Sequence, residues 1–200
     1  IAVNSLIKQT TFFNRSNSKF GLEHTIQTNK GKQFLNSGFE WKQNDKQQLI
    51  SRFGFSKRIN FVVDAEVSRK QNRNGFFENR NYNYNSKILR PELFYQTLRG
   101  MRFGAYYKYT EAINTPEFGG DQAYIGESGI ELRYFIINKG NIDIKIASHN
   151  INFAGNSNSP LAFDVLNGLS NGKNLTWNIG FGGKTKGNIQ LNVSYEGRKT

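Results

Sequence analysis

In Met101-Arg102-Phe103-Gly104-Ala105-Tyr106-Tyr107-Lys108-Tyr109-Thr110, Met101, Phe103, Ala105, Tyr107 and Tyr109 alternate with Arg102, Gly104, Tyr106, Lys108 and Thr110. A period of two places one set on each face of a β-strand. The pattern recurs on both sides of this stretch. Upstream it covers Phe20–Ile26 and Phe61–Ser68; downstream it covers Ile142–Ala147, Leu175–Gly182 and Ile189–Glu196. The chain therefore reads as strands throughout, each with one apolar and one polar face.

Eleven segments fit: 2–13, 18–28, 33–43, 47–57, 60–70, 84–96, 100–112, 122–137, 140–151, 173–184 and 187–197. Most exceed the five or six residues of an average globular strand. They match the roughly 9–11 residues that a tilted strand needs to cross a bilayer. Tight turns are expected at Asn29-Lys30-Gly31-Lys32, Ser56-Lys57-Arg58, Thr97-Leu98-Arg99-Gly100, Asn138-Lys139-Gly140-Asn141 and Thr185-Lys186-Gly187-Asn188, where Gly and Asn supply positive φ. The other connections, 14–17, 44–46, 71–83, 113–121 and 152–172, include long polar stretches. Short turns alternating with longer loops characterise outer-membrane barrels.

The polar positions include Glu23, Glu40, Lys42, Arg52, Asp64, Glu66, Arg90, Glu92, Arg102, Lys108, Glu127, Glu131, Arg133, Asp143, Lys145 and Glu196. In a soluble sandwich these face water; in a membrane barrel they face the lumen and the apolar set faces lipid. Aromatic placement favours the barrel. With the tight turns on the periplasmic side, Phe12, Phe13, Trp41, Tyr107, Tyr109, Trp177 and Tyr195 fall toward the outer interface. Phe53, Phe55, Tyr95, Tyr134 and Phe135 fall toward the inner one, giving two interfacial belts.

Composition removes several classes of function. The 200 residues hold 27 Lys+Arg and 15 Asp+Glu, a formal net charge of +12, and no cysteine. Disulfides, zinc-thiolate sites, iron–sulfur clusters and cysteine nucleophiles are excluded. No run approaches the roughly 20 apolar residues of a spanning helix. Aromatics at 14% argue against disorder.

One segment departs from the strand pattern. Ser159-Pro160-Leu161-Ala162-Phe163-Asp164-Val165-Leu166-Asn167-Gly168-Leu169 predicts a short helix in an extracellular loop, with Ser159 as cap, Pro160 first and Gly168 at the end. Together with Gly172–Asn178 and Asn188–Thr200, residues Ala162–Leu169 resemble the C-terminal barrel end of outer-membrane β-barrel proteins of the Bacteroidota. The resemblance covers about 40 residues, and the remainder agrees in its Asn, Lys and aromatic content. In that family a final strand ending in an aromatic residue follows, and members stand alone or serve secretion, assembly or uptake complexes. The expectation is one barrel domain over residues 1–200 of about 12 strands, 11 of them visible, lacking its last strand and belonging to a longer chain.

Catalytic chemistry is not expected. Ser148 and His149 are adjacent on a strand, so they face opposite ways and cannot act as nucleophile and base. His24 sits on an apolar face. No metal or phosphate-loop spacing is present and no cofactor is implied. Loop 69–87 is the strongest contact candidate: Arg69, Lys70, Arg73, Arg80 and Lys87 lie among Phe76, Phe77, Tyr82 and Tyr84. On the outer side these cations would meet lipopolysaccharide phosphates or a partner. Expected partners are outer-membrane lipid, lipopolysaccharide and other outer-membrane or periplasmic proteins, with no nucleic acid. The first functional reading is a non-enzymatic barrel, structural or a subunit of a larger complex. A small solute channel is the second, and a soluble barrel or sandwich binding an acidic ligand is the third.

Overall fold

The computed structural model describes residues 2–16, 19–35, 38–136, 140–184 and 189–200, without the side chains of Leu35 and Lys184. The turns expected at Asn138-Lys139 and at Thr185–Asn188 fall outside the described residues, as does Asn17. The chain forms one antiparallel up-and-down sheet, each strand pairing with the next in sequence. The strands are β1 (Ala2–Phe13), β2 (Phe20–Leu35), β3 (Gly38–Gly54), β4 (Ile59–Asn74), β5 (Tyr82–Gln96), β6 (Met101–Asn114), β7 (Gln122–Ile136), β8 (Gly140–Ala154), β9 (Gly172–Lys184) and β10 (Gln190–Lys199). Among the described residues a single α-helix, α1 (Pro160–Leu166), lies between β8 and β9. β1 and β10 are the two edges of the sheet.

Among the described residues ten strands stand where eleven visible ones were expected. The difference lies at one place. Residues 29–32 do not turn: Gly31 stands mid-ladder in β2, opposite Asn4 on β1 and Lys42 on β3. Residues 44–46 likewise continue β3, so three expected strands are two long ones. Both faces of this hairpin are polar here, with Gln27, Asn29 and Lys30 opposite Lys46, Asn44 and Gln43. Alternation vanishes when both faces are polar, although the ladder continues.

The merger keeps the alternation of connections but moves two of them. One end of the sheet holds the short links after β3 and β5, with the last residues of β1, β7 and β9. The other, the loop end, holds 75–81, 115–121 and 155–171, with the last residues of β2. Pro91, inside β5, pairs with Val63 on β4 but interrupts the ladder to β6 at positions 90 and 91. It has no N–H to donate there.

Following the register across the ladders sorts every strand residue onto one of two faces. All sixteen charged residues named above share one face. Every buried non-glycine side chain that the described strands contribute lies on that polar face, Asn114 at 1% exposure and Tyr84 at 2% among them. The opposite face carries Leu89, Ile130, Ile144, Ile179 and Val193, with Ile130 59% and Val193 54% exposed. The sheet curls around its polar side and exposes its apolar side, the reverse of a water-soluble sandwich. Among the described residues a small buried apolar cluster sets Leu161 of α1 against Tyr84, Ala112 and Ala123.

Candidate functional site

The polar face is a ladder of opposite charges. Lys46 pairs with Glu66 at 2.6 Å, Arg90 with Glu92 at 3.3 Å, and Arg133 with Asp143. Gln48 donates to both oxygens of Asp64 at 2.8 and 2.9 Å, and Asn178 donates to Glu196 at 2.6 Å. Burial of charge requires such partners. Arg90, Glu92, Phe94, Arg102, Glu131 and Lys145 border a hollow of about 440 Å³. Arg102 stacks on Phe94 with its guanidinium carbon 3.7 Å from the ring centre.

Toward the loop end, α1 folds onto the same face. Ser159 caps it, accepting from the Ala162 amide at 3.2 Å, and Pro160 opens it, as the sequence indicates. Asn167 rather than Gly168 ends it, with φ 50°. The helix is rooted between β8 and β9 but is fastened across the sheet. Asp164 accepts from Lys70 Nζ on β4 at 2.7 Å and from the Tyr84 hydroxyl on β5. Arg198 on β10 donates to the Gly168 carbonyl at 3.2 Å. Burial acts to raise the Asp164 carboxyl pKa. The hydrogen bonds from Lys70 and Tyr84, with the Lys70 charge, outweigh it and hold the group below its ordinary range. Beneath the helix is a cavity of about 220 Å³, bordered by Glu66, Lys108, Glu127 and His149.

His149 is the residue here most suggestive of catalysis. Its Nε2 lies 2.8 Å from Thr176 Oγ1, and its Nδ1 lies 3.8 Å from Glu127. The second distance is too long for a hydrogen bond, and Glu127 instead accepts from the Tyr106 hydroxyl at 2.5 Å. The imidazole therefore lacks the orienting acceptor that a nucleophile–base pair needs. Ser148 falls on the apolar face, opposite His149, as adjacency on a strand dictates. Among the described residues no group of three or more acidic or histidine side chains could hold a metal ion.

The expected contact residues are divided rather than gathered. Arg69 and Arg73 fall on the apolar side of the sheet, beyond its apolar rows, and Lys87 on the same side directly opposite Val67, whereas Lys70 turns to the polar side. Arg80 lies in the β4–β5 connection and stacks on Phe77 at 4.7 Å. Lys87 is paired with Glu111 at 3.0 Å. Residues 69–74 and 82–87 thus belong to strands, and only 75–81 is loop.

All seven interfacial aromatics, Trp41, Tyr95, Tyr107, Tyr109, Tyr134, Trp177 and Tyr195, lie on the apolar face. Trp41 is near the loop end, and Tyr95 and Tyr134 are near the turn end. Tyr107 and Trp177 are mid-strand rather than at an edge, and Trp177 covers Gly197 directly opposite. Phe12 and Phe13 end β1 at the turn end, not the loop end, and Phe12 and Phe135 lie on the polar face. Asp164 and its clasp had no sequence signal, since Lys70 is 94 positions away.

No protein-family model matches the chain, and no curated protein matches it.

Proposed function

We propose that this chain is an integral outer-membrane β-barrel without enzymatic activity, acting as a structural element or as a subunit of a larger outer-membrane complex, with an obstructed lumen. One observation carries the reading: the exposed face is the apolar one. From Ile59 to Val67, Leu89 to Tyr95, Met101 to Tyr109 and Ile142 to Ser148, every residue on that face is uncharged. A charge-free band four or five side chains deep fits the roughly 25 Å apolar wall of such barrels. In water the same face would be a contiguous apolar patch far larger than soluble monomers expose.

Within lipid, each unpaired edge group costs several kcal/mol. The reading therefore requires closure, of β1 on β10 or through further strands. β1 and β10 run in opposite directions, so direct closure would be antiparallel. The charge ladder and α1, which crosses from β8–β9 to β4–β5, support an obstructed lumen over an open channel.

The experiment is fractionation of cells expressing the full gene, with boiled and unboiled samples of the outer-membrane fraction compared on a gel. A band in that fraction whose mobility changes on boiling is the expected result. Protein left in solution after membranes are pelleted would overturn it.

A further inference from the structure

We propose that the apolar wall ends, on β2–β4 at the loop end, in a docking strip for phosphorylated glycolipid headgroups, which in a Gram-negative outer leaflet means lipopolysaccharide. This inference rests on the outer-membrane reading.

The register builds the strip. Lys32, Trp41 and Arg73 stand opposite one another on β2, β3 and β4. Lys30 lies one row nearer the apolar wall, and Arg69 a further row nearer. With strands about 4.8 Å apart, the Lys32 and Arg73 backbones are about 10 Å apart, so both side chains can reach an anion held over Trp41. All four cations are exposed.

None of the four is in an ion pair among the described residues. Lys32 rests over the Phe39 ring at 4.7 Å. Arg69 donates to the neutral side chains of Asn83, at 3.0 Å, and Gln71. The nearby carboxylate, Asp45, is held by Gln43 at 2.5 Å. Lys70 and Lys87 differ, each being paired with a carboxylate of its own.

Position selects the anion. The strip is continuous with the apolar rows Ile26, Leu49 and Val67, so whatever it binds must itself border the apolar wall. At the turn end the same face carries Phe20, Phe53, Phe61, Tyr95 and Tyr134 and no charge. The loop end corresponds to the outer leaflet. An arginine fork and a lysine at headgroup height suit a phosphomonoester on a lipid.

The test uses the full chain folded in detergent, titrated with purified lipopolysaccharide and with its dephosphorylated form. Trp41 emission is followed in a Trp177→Phe background. Saturable binding is expected, at least ten-fold weaker for the dephosphorylated lipid and weakened by high salt. Lys32→Gln with Arg73→Gln should weaken binding about thirty-fold, each cation contributing about five-fold beside an anionic surface. Lys57→Gln with Arg58→Gln, at the turn end, should leave it unchanged. Equal binding of the two lipids, or of the double variant and the parent, overturns the strip if both proteins show the heat-shifted gel band. A chain that shows no such band and stays in water overturns the barrel reading, and the strip with it.

Discussion

Arg90 on β5 reaches Glu131 on β7 at 3.5 Å, passing over the ring of Tyr106 on the intervening strand. Lys145, on β8, reaches the same carboxylate at 3.5 Å and lies 5.0 Å from the same ring. One carboxylate thus serves two cations above one aromatic face. Strands two apart are separated by about 10 Å in a sheet. Long side chains meeting across that gap tie β5, β6, β7 and β8 together and fill the concave side.

Glu131→Gln removes the shared anion and leaves Arg90 and Lys145 facing each other. The three side chains are 31–45% exposed, so solvent screens much of the interaction. A cost of about 1 kcal/mol is expected. It is read as a lower urea midpoint for unfolding from detergent. High salt should shrink the difference between variant and parent; an undiminished difference would mean that packing, not charge, holds the cluster.

Tyr106 also explains a glycine. Gly129 stands directly opposite it on β7, and a Cβ there would occupy the space of the tyrosine ring. Gly129→Ala must displace the ring, and with it the hydrogen bond to Glu127 and the stacking of both cations. The expected cost is about 1–3 kcal/mol. Combining it with Tyr106→Ala should cost clearly less than the sum of the single changes, because both act through one ring. Additive losses in a double-mutant cycle would separate the two residues.

The assignment of residues to faces was legible in the sequence because the middles of β4 to β10 alternate with a period of two, and one predominantly apolar face fixes the register. It failed at 29–46, where Lys30 and Gln43 leave the apolar-side face polar and Asn29-Lys30-Gly31 imitates a turn. The α1 signal was local, a Ser-Pro start, and so could be read. Its destination was not, because Asp164 meets Lys70 and Tyr84 only through the curl of the whole sheet. The basic run 69–87 misled for a related reason. Taken as one loop it pools its cations, whereas strand parity sends Arg69 and Lys70 to opposite faces.

Ile144 lies in the middle of β8 on the apolar face, between Leu132 on β7 and Ile179 on β9. Ile144→Arg should cost about 2–4 kcal/mol of folding stability in lipid vesicles, the penalty for a cation near the midplane. Asn178→Arg, on the polar face beside Lys145 and Glu196, should cost far less. Val193→Arg on β10 should resemble Ile144→Arg if β10 also meets lipid. Reversed costs for Ile144 and Asn178 in vesicle refolding would invert the faces and remove the basis of the membrane reading.

The clasp at Asp164 predicts how the α1 loop responds to pH. Its folded pKa lies below the unfolded value, so the clasp's contribution is complete above the unfolded pKa and disappears as pH falls through the folded one. The loop should therefore stay fastened at pH 5 and loosen only on acidification below the ordinary aspartate range. Asp164→Asn keeps a weaker acceptor for Tyr84 but loses the pairing with Lys70, so it should loosen the loop at every pH. Lys70→Met should do the same while leaving Tyr84 in place. Hydrogen exchange over residues 155–171 measures this directly, with faster exchange expected in both variants. In planar bilayers the parent should show no discrete steps, and Asp164→Asn should show intermittent ones if α1 is the main obstruction. Steps of equal size and frequency in parent and variant would make the chain a channel and leave α1 as packing alone. Silence in both, with faster exchange in the variant, would assign the obstruction to the charge ladder around Arg90, Glu131 and Lys145.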